Sequence, residues 1–281
     1  MQTTATRRPV TPRKMRLPFD PDTIPKRWYG GNAVATHVVN GVSLLFPAGE
    51  RFFVRSVRRY FKNVSDDPVL TKQIRGFFGQ EGKHAHEHER HRKMLEAQGY
   101  EVREFLDAFE RSLRFLEELA PDALNLSATA AAEHFTAIMA ENAFDDIELF
   151  EHVDPVMRDL LLWHAAEEIE HKAVAFDVLK RVAPNHALRV AGMAIAAVFL
   201  AYWWQRGTRM LLAQENLSPQ ERAREAQSMK TYREEHGKGR TILRDVFLRG
   251  IREYLERDFH PWNNEASALV KEYLADLDAR L

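Results

Sequence analysis

An all-α fold, a bundle of four long helices with additional C-terminal helices, follows from three features of the sequence. Apolar residues recur at helical spacing through most of the 281 positions, and strand-like alternation is essentially absent. Helix starts punctuate the chain: Ser65-Asp66-Asp67-Pro68, Pro121-Asp122 and Val153-Asp154-Pro155 each place a capping residue or a first-turn proline before a long periodic run. Each long run also carries an acid on its apolar stripe, where a carboxylate needs a partner.

Residues 1–30 read as a basic, Pro-rich arm, expected to be disordered or draped over the surface. From Asn32 to about Phe61 a helical run is broken at Pro47-Ala48-Gly49, and Glu50 then shares a stripe with Phe53, Val57 and Phe61, away from the basic face of Arg51, Arg55, Arg58 and Arg59. The second long helix is predicted from Pro68 to about Gln98, ending at Gly99; its inward stripe is Ile74, Phe77, Glu81, His84, His88, His91 and Leu95. Residues 100–121 form a long connection with an amphipathic helix over Val102–Leu119. The third long helix, Asp122–His152, carries Leu126, Ala130, Glu133, Ala137, Glu141 and Phe144 along one side. The fourth, Pro155–Val182, carries Leu160, His164, Glu168, His171 and Val178, and stops before Pro184. These helices define a bundle domain over 31–183, with 184–281 packed on it.

Residues 187–212 are the most apolar stretch, with no charge between Arg189 and Arg206. Those sixteen residues span about 24 Å as a helix, at or just below what a bilayer of ~30 Å requires. Tyr202-Trp203-Trp204 and flanking basic residues resemble an interfacial anchor. The segment is therefore read either as a helix buried on the bundle or in a homodimer contact, or as a membrane-surface or membrane-embedded element. From Pro219 the chain predicts charged amphipathic helices at about 219–235, 240–257 and 263–280.

Composition narrows the chemistry. Lys+Arg 40 against Asp+Glu 41 gives a net charge of -1, which argues against nucleic acid as a partner. The absence of cysteine removes disulfides, thiolate catalysis and iron–sulfur ligation, and leaves His, Glu and Asp as metal ligands. The N-terminal stretch lacks the apolar run of a signal peptide, so a cytoplasmic location is expected, peripheral to or anchored in the inner membrane if residues 187–212 meet lipid.

The chemistry concentrates in Gln80–His91, QEGKHAHEHERH, which holds four of the twelve histidines. Glu81-x-x-His84 lies within it, and Glu168-x-x-His171 recurs inside WHAAEEIEHK. Residues three apart share a helix face, so such a pair reaches one metal together. Two occurrences barely exceed the one expected by chance from this composition. The set is more telling: Glu50, Glu81-x-x-His84, Glu133 and Glu168-x-x-His171 sit one per long helix, each on the apolar stripe. That is the ligand inventory of ferritin-like dinuclear carboxylate bundles. Two divalent cations balance four buried carboxylates, and sulfur-free ligands suit iron or manganese.

The segments FPAGE, GQEGKHAHEH, AAEHFTA and WHAAEEIEHKAVAFDVL resemble the bacterial family described as predicted metal-dependent hydrolases, whose members resemble ferritin-like di-iron proteins; the likeness covers about residues 15–260. The resemblance implies that Glu81 and Glu168 bridge two metals, that Glu50 and Glu133 bind terminally, and that His84 and His171 supply one nitrogen each. His88, His91, His164 and Glu141 exceed this set. If the 100–121 connection crosses the full bundle, His88, Glu141 and His164 fall on one side of the metals, as a proton relay, a support for the ligands or a third metal site. A solvent-facing position is expected for His86, Glu87 and Glu89 and is favoured for His91 and Glu141.

Three functions suit this inventory. The leading expectation is an enzyme with two iron ions that activates O2 and oxidises a small apolar or amphiphilic, lipid-like substrate. The alternatives are a dinuclear hydrolase that uses a metal-activated water, and a non-enzymatic iron-binding or membrane-associated protein.

Overall fold

Pro47, expected to break the first helix, instead opens its second half. In a computed structural model, which describes residues 9–264 and 267–281, α1 (Ala33–Ser43) is capped by Asn32, whose side chain accepts the Ala35 N–H. The chain then turns at Leu44-Leu45, and α2 (Phe46–Arg58) takes Pro47 into its first turn, where the missing N–H leaves no bond unmade. Residues 1–8 of the arm and 265–266 of the last predicted helix lie outside the described residues.

The remaining helices start where their caps predict. Asp67 caps α3 (Pro68–Ala97), and Asp154 caps α6 (Pro155–His171). Between them run α4 (Arg103–Leu119) and α5 (Asp122–Asp145), the latter shorter than predicted because a 3-10 turn takes over at Ile147–Phe150. The predicted fourth helix is two: after His171 the chain breaks at Lys172-Ala173 and resumes as α7 (Val174–Val182). Then follow α8 (His186–Ala213), α9 (Pro219–His236) with a Ser218/Glu221 capping box, a π-type turn over Leu243–Leu248, α10 (Arg249–Leu255) and α11 (Ala268–Arg280). Among the described residues there is no strand, only an isolated bridge from Tyr29 to Val153.

Four segments, α2, α3, α5 and α6 with α7, enclose a common interior, α2 and α6 each packing on both α3 and α5. The pairings give the directions. His84 meets Glu167 and His88 meets His164, while Glu133 meets His171 and Thr136 meets Glu168. Both α3 and α5 are thus antiparallel to α6 and parallel to each other, as a crossover through α4 requires.

The arm does more than drape. From residue 9 it crosses α3 at Gly76 and Gly79, where a Cβ would meet Val10 O at 2.2 Å and Pro12 Cγ at 2.5 Å. Arg13, Leu17, Ile24 and Trp28 are buried. One apolar cluster takes side chains from this arm, the bundle and the C-terminal helices, from Leu17 to Leu277; a large apolar side chain buried in it contributes roughly 1.5–3 kcal/mol.

The apolar helix α8 lies across α5 and α1. Its contacts are close at Gly192, where a Cβ would come within 2.2 Å of Ser127 Oγ. Met193, Ala196, Trp203 and Trp204 face inward, whereas Val198 and Tyr202 are exposed. The helix is long and apolar enough to cross a membrane, and 33% of its most apolar window is buried in the protein. Those are equally the properties of a helix packed on a bundle.

Candidate metal centre

Helical spacing delivers the six sequence-predicted ligands to one point inside the bundle. Glu50 comes from α2, Glu81 and His84 from α3, Glu133 from α5, and Glu168 and His171 from the last turn of α6; all are buried, none more than 4% exposed. His171 Nε2 lies 3.1 Å from Glu81, 3.2 Å from Glu133 and 3.5 Å from Glu168. His84 Nδ1 lies 3.9 Å from Glu81 and 3.8 Å from Glu168. Glu81 and Glu168 are therefore common to both imidazoles, with Glu133 on the His171 side. Glu50, His84 and His164 form a second group whose donor atoms lie within 4.8 Å of one another, as do those of Glu81, Glu168 and His171.

The far side of each imidazole is held. His171 Nδ1 donates to Gln80 Oε1 at 2.9 Å, and His84 Nε2 donates to Glu167 Oε2 at 3.0 Å. Each bond turns the ring's other nitrogen toward the carboxylates. Glu167 is itself gripped by Arg13, whose backbone N–H donates to it at 2.9 Å, and Gln80 by Glu170 and the Thr11 carbonyl. The Thr136 hydroxyl bonds Glu168 from α5. Trp163 and Phe77 set their rings edge-on against His84 and His171.

What faces the interior has no such partners. Both oxygens of Glu50, Glu81 and Glu133, Nδ1 of His84 and Nε2 of His171 make no hydrogen bond among the described residues. Nor, among those residues, does any Lys or Arg pair with the four carboxylates; their close neighbours are histidines. Burial, compounded by the other carboxylates, pushes Glu50 and Glu81 well above the usual range. Glu133 is pushed up to about 7, by burial and against the opposing pull of His171. Burial would also raise Glu168, but His171 and His164 hold it well below. Burial would lower His171, but Glu168 and Glu133 raise it well above its ordinary value. Orphaned buried acids of this kind are costly unless cations balance them. The donor set fits a pair of divalent ions.

A second polar layer lies about one turn along. His164 Nε2 is 2.9 Å from Glu168 and 3.6 Å from Glu50, and its Nδ1 is 2.6 Å from His88 Nε2. His88 Nδ1 and His91 Nδ1 both lie 2.8 Å from the Ser43 hydroxyl, which α1 supplies. The rings of His88 and His164 pack on Phe46. His91 is thus buried, not solvent-facing: seven residues from His84 return it to within about 20° of the same face. Glu141 does not join the layer. Eight residues from Glu133 leave it about 80° round the helix, where it pairs with Lys172 at 3.1 Å and Arg249 at 2.8 Å. His86 is exposed and Glu89 half-buried, but Glu87 is buried against Arg90, which the arm also engages through the Leu17 carbonyl.

Gln80, Glu167, Thr136, Ser43 and Arg13 carry no sequence signal of a role, except that Gln80 adjoins Glu81, Glu167 adjoins Glu168 and Thr136 lies one turn from Glu133. Their partners are remote in sequence, and only packing introduces them.

Two chambers adjoin the centre. One of about 120 Å³ is walled almost wholly by apolar side chains of α2, α4, α5 and α8 and reaches Glu50 and Thr136. The other, about 280 Å³, ends inward at Thr136, His164 and Glu168 and outward at Tyr29, Arg233 and Arg240. Val42, Phe46, Thr136 and Met139 line both.

No curated protein and no solved structure matches this chain. A family model described as predicted metal-dependent hydrolase matches residues 11–265, which contain the entire cluster. With a match over nine-tenths of its length and a buried Glu/His cluster able to hold metal, the chain belongs to the family of predicted metal-dependent hydrolases.

Proposed function

We propose that the protein is a dinuclear metal enzyme, in which Glu50, Glu81, His84, Glu133, Glu168 and His171 would hold two ions. The observation that carries this reading is the set of buried Glu and His atoms without hydrogen-bond partners on the inner side of the cluster. Oxygen and nitrogen donors suit iron or manganese. When bound, such ions would acidify a water for hydrolysis, or, as iron, support oxygen chemistry.

Hydrolysis is the reading that agrees with the family description. In it this chain's residues do three things. Gln80 and Glu167 lock the two ligand imidazoles. The apolar walls exclude bulk water from the reacting bond. His164 donates its Nε2–H to Glu168, and its Nδ1 continues through His88 and Ser43 to His91, a hydrogen-bonded chain along which a proton can move. One observation favours the second reading, oxidation with O2: the 120 Å³ chamber touching Glu50 offers almost no polar group to recognise a hydrolysable head.

Metal analysis with parallel anaerobic and aerobic turnover separates them. Protein that holds about two ions and cleaves an ester probe without oxygen supports hydrolysis. Iron-dependent O2 uptake with no anaerobic cleavage overturns it in favour of oxidation. Metal uptake without either reaction indicates a binding protein.

A further inference from the structure

We propose that the 280 Å³ chamber is the binding site of an anionic amphiphile, whose head group pairs with Arg233 and whose hydrocarbon chain runs inward past His164, Glu168 and Thr136 toward the smaller apolar chamber. This deepens the reading of the metal centre by naming the substrate class, and only the identity of the reacting bond rests on that reading.

The two ends of the chamber differ in chemistry. Inside, Val38, Val39, Leu161 and Ala165 wall a passage that ends at the cluster. A charged or strongly hydrated group would be desolvated there without a compensating donor. Outside, the half-buried Arg233 of α9 and the hydroxyl of Tyr29 stand at the rim. The other rim cation, Arg240, is occupied by Asp145 and Asp146, both at 2.7 Å, and Asp146 is the carboxylate at the rim, Glu168 lying at the inner end. No carboxylate pairs with Arg233 among the described residues, so its guanidinium is the group free to meet an anion.

Length is available as well. The second chamber shares Val42, Phe46, Thr136 and Met139 with the first, which lies among α2, α4, α5 and α8 and reaches Leu116 and Phe199. A chain entering at Arg233 would therefore pass the centre before it ended. The substrate bond presented to the centre lies down the chain, away from the head: an ester placed there suits hydrolysis, and a carbon–hydrogen bond suits oxidation.

The test is calorimetric titration of the full-length protein, metal-loaded and chelator-treated, with dodecanoate, dodecanol, dodecyltrimethylammonium and butanoate. Dodecanoate should bind at least tenfold more tightly than dodecanol, and butanoate far more weakly, since each methylene is worth about a three- to fourfold gain. Arg233→Glu should weaken dodecanoate about tenfold or more and leave dodecanol unchanged. Ala128→Phe, which narrows the inner chamber, should stop the gain with length at a shorter chain. Equal affinity for dodecanoate and dodecanol, an unaffected Arg233→Glu variant, or no binding of any long chain would overturn the proposal. Amphiphile binding by a protein that takes up no metal would sink the metal reading and leave this one standing; metal uptake without amphiphile binding would do the reverse.

Discussion

Two layers of buried polar side chains lie about one helical turn apart in this bundle, and their hydrogen bonding is completed differently. In the layer of Ser43, His88, His91 and His164, ring nitrogens and a hydroxyl satisfy one another, with His164 Nε2 bonded to Glu168 and His91 Nε2 left over among the described residues. In the layer of Glu50, Glu81, His84, Glu133 and His171, the outward ring nitrogens are satisfied, while, among the described residues, the inward ones and both oxygens of the three carboxylates are not. Similar residue types at similar depth thus divide into a network that is complete without metal and a cage that is not. The difference locates the missing charge without reference to any relative.

The largest effect that tests this division is loss of metal. Glu81→Ala or Glu168→Ala should reduce bound metal, by elemental analysis, from about two ions per chain to fewer than one, and remove activity by several orders of magnitude. Ser43→Ala, in the complete layer, should leave metal content near the wild-type value. Equal losses from both layers would erase the distinction.

The layers should also respond oppositely to pH. In metal-free protein, Glu50, Glu81 and Glu133 have folded-state values raised above their unfolded ones. Their contribution to stability is therefore present in acid and lost as pH rises, for Glu133 between about 4.5 and about 7. Chelated protein should melt lower at pH 8 than at pH 5, and metal should abolish that slope. His91 runs the other way: burial lowers it from 6.5 to about 3. The unfolded chain takes up that proton first, so stability falls as pH drops through this window, by on the order of 5 kcal/mol in full. His91→Phe should flatten the acid limb of a denaturation series; an unchanged limb would mean that His91 is hydrated.

Removing a support should cost less than removing a proposed ligand. Gln80→Leu and Glu167→Gln should each weaken metal binding about 10- to 100-fold with the fold intact, measured by competition with a chelator. Gly76→Val, which collides with the arm at Val10, should destabilise by about 1–3 kcal/mol and loosen metal through the loss of Arg13 from Glu167. The smallest effect belongs to exposed His86: His86→Ala should change stability by no more than about 0.5 kcal/mol and leave metal content unaltered.

Much of the centre was legible because α-helices are periodic. Intervals of three, four and seven residues preserve a face, and each interval between inward residues of the cluster is one of these: Glu81 to His84, His84 to His88 and His91, His164 to Glu168 and His171. The same rule excludes Glu141, since eight residues from Glu133 rotate it off the face. Gln80 and Glu167 show where periodicity is silent. Both adjoin a ligand in sequence and point elsewhere on the helix, and what they touch comes from another helix and the N-terminal arm. The break after His171 was equally hidden, because the Lys172 side chain that turns out to Glu141 and the Asn264 carbonyl is held by residues far along the chain.

By itself the sequence determined the class of fold, the helix starts at Asp67 and Asp154, and which carboxylates and imidazoles share a face, for these depend on local capping and on the 100° step of the helix. The tertiary structure alone decided that the four faces converge, that Gln80 and Glu167 orient the two imidazoles, that the arm from residue 9 onward is part of the core, and that Arg233, unpaired among the described residues, stands at the rim of a chamber leading to the centre. These features join residues tens to hundreds of positions apart. A helix period carries no information about which remote side chain arrives, and only the packing of all the helices supplies it.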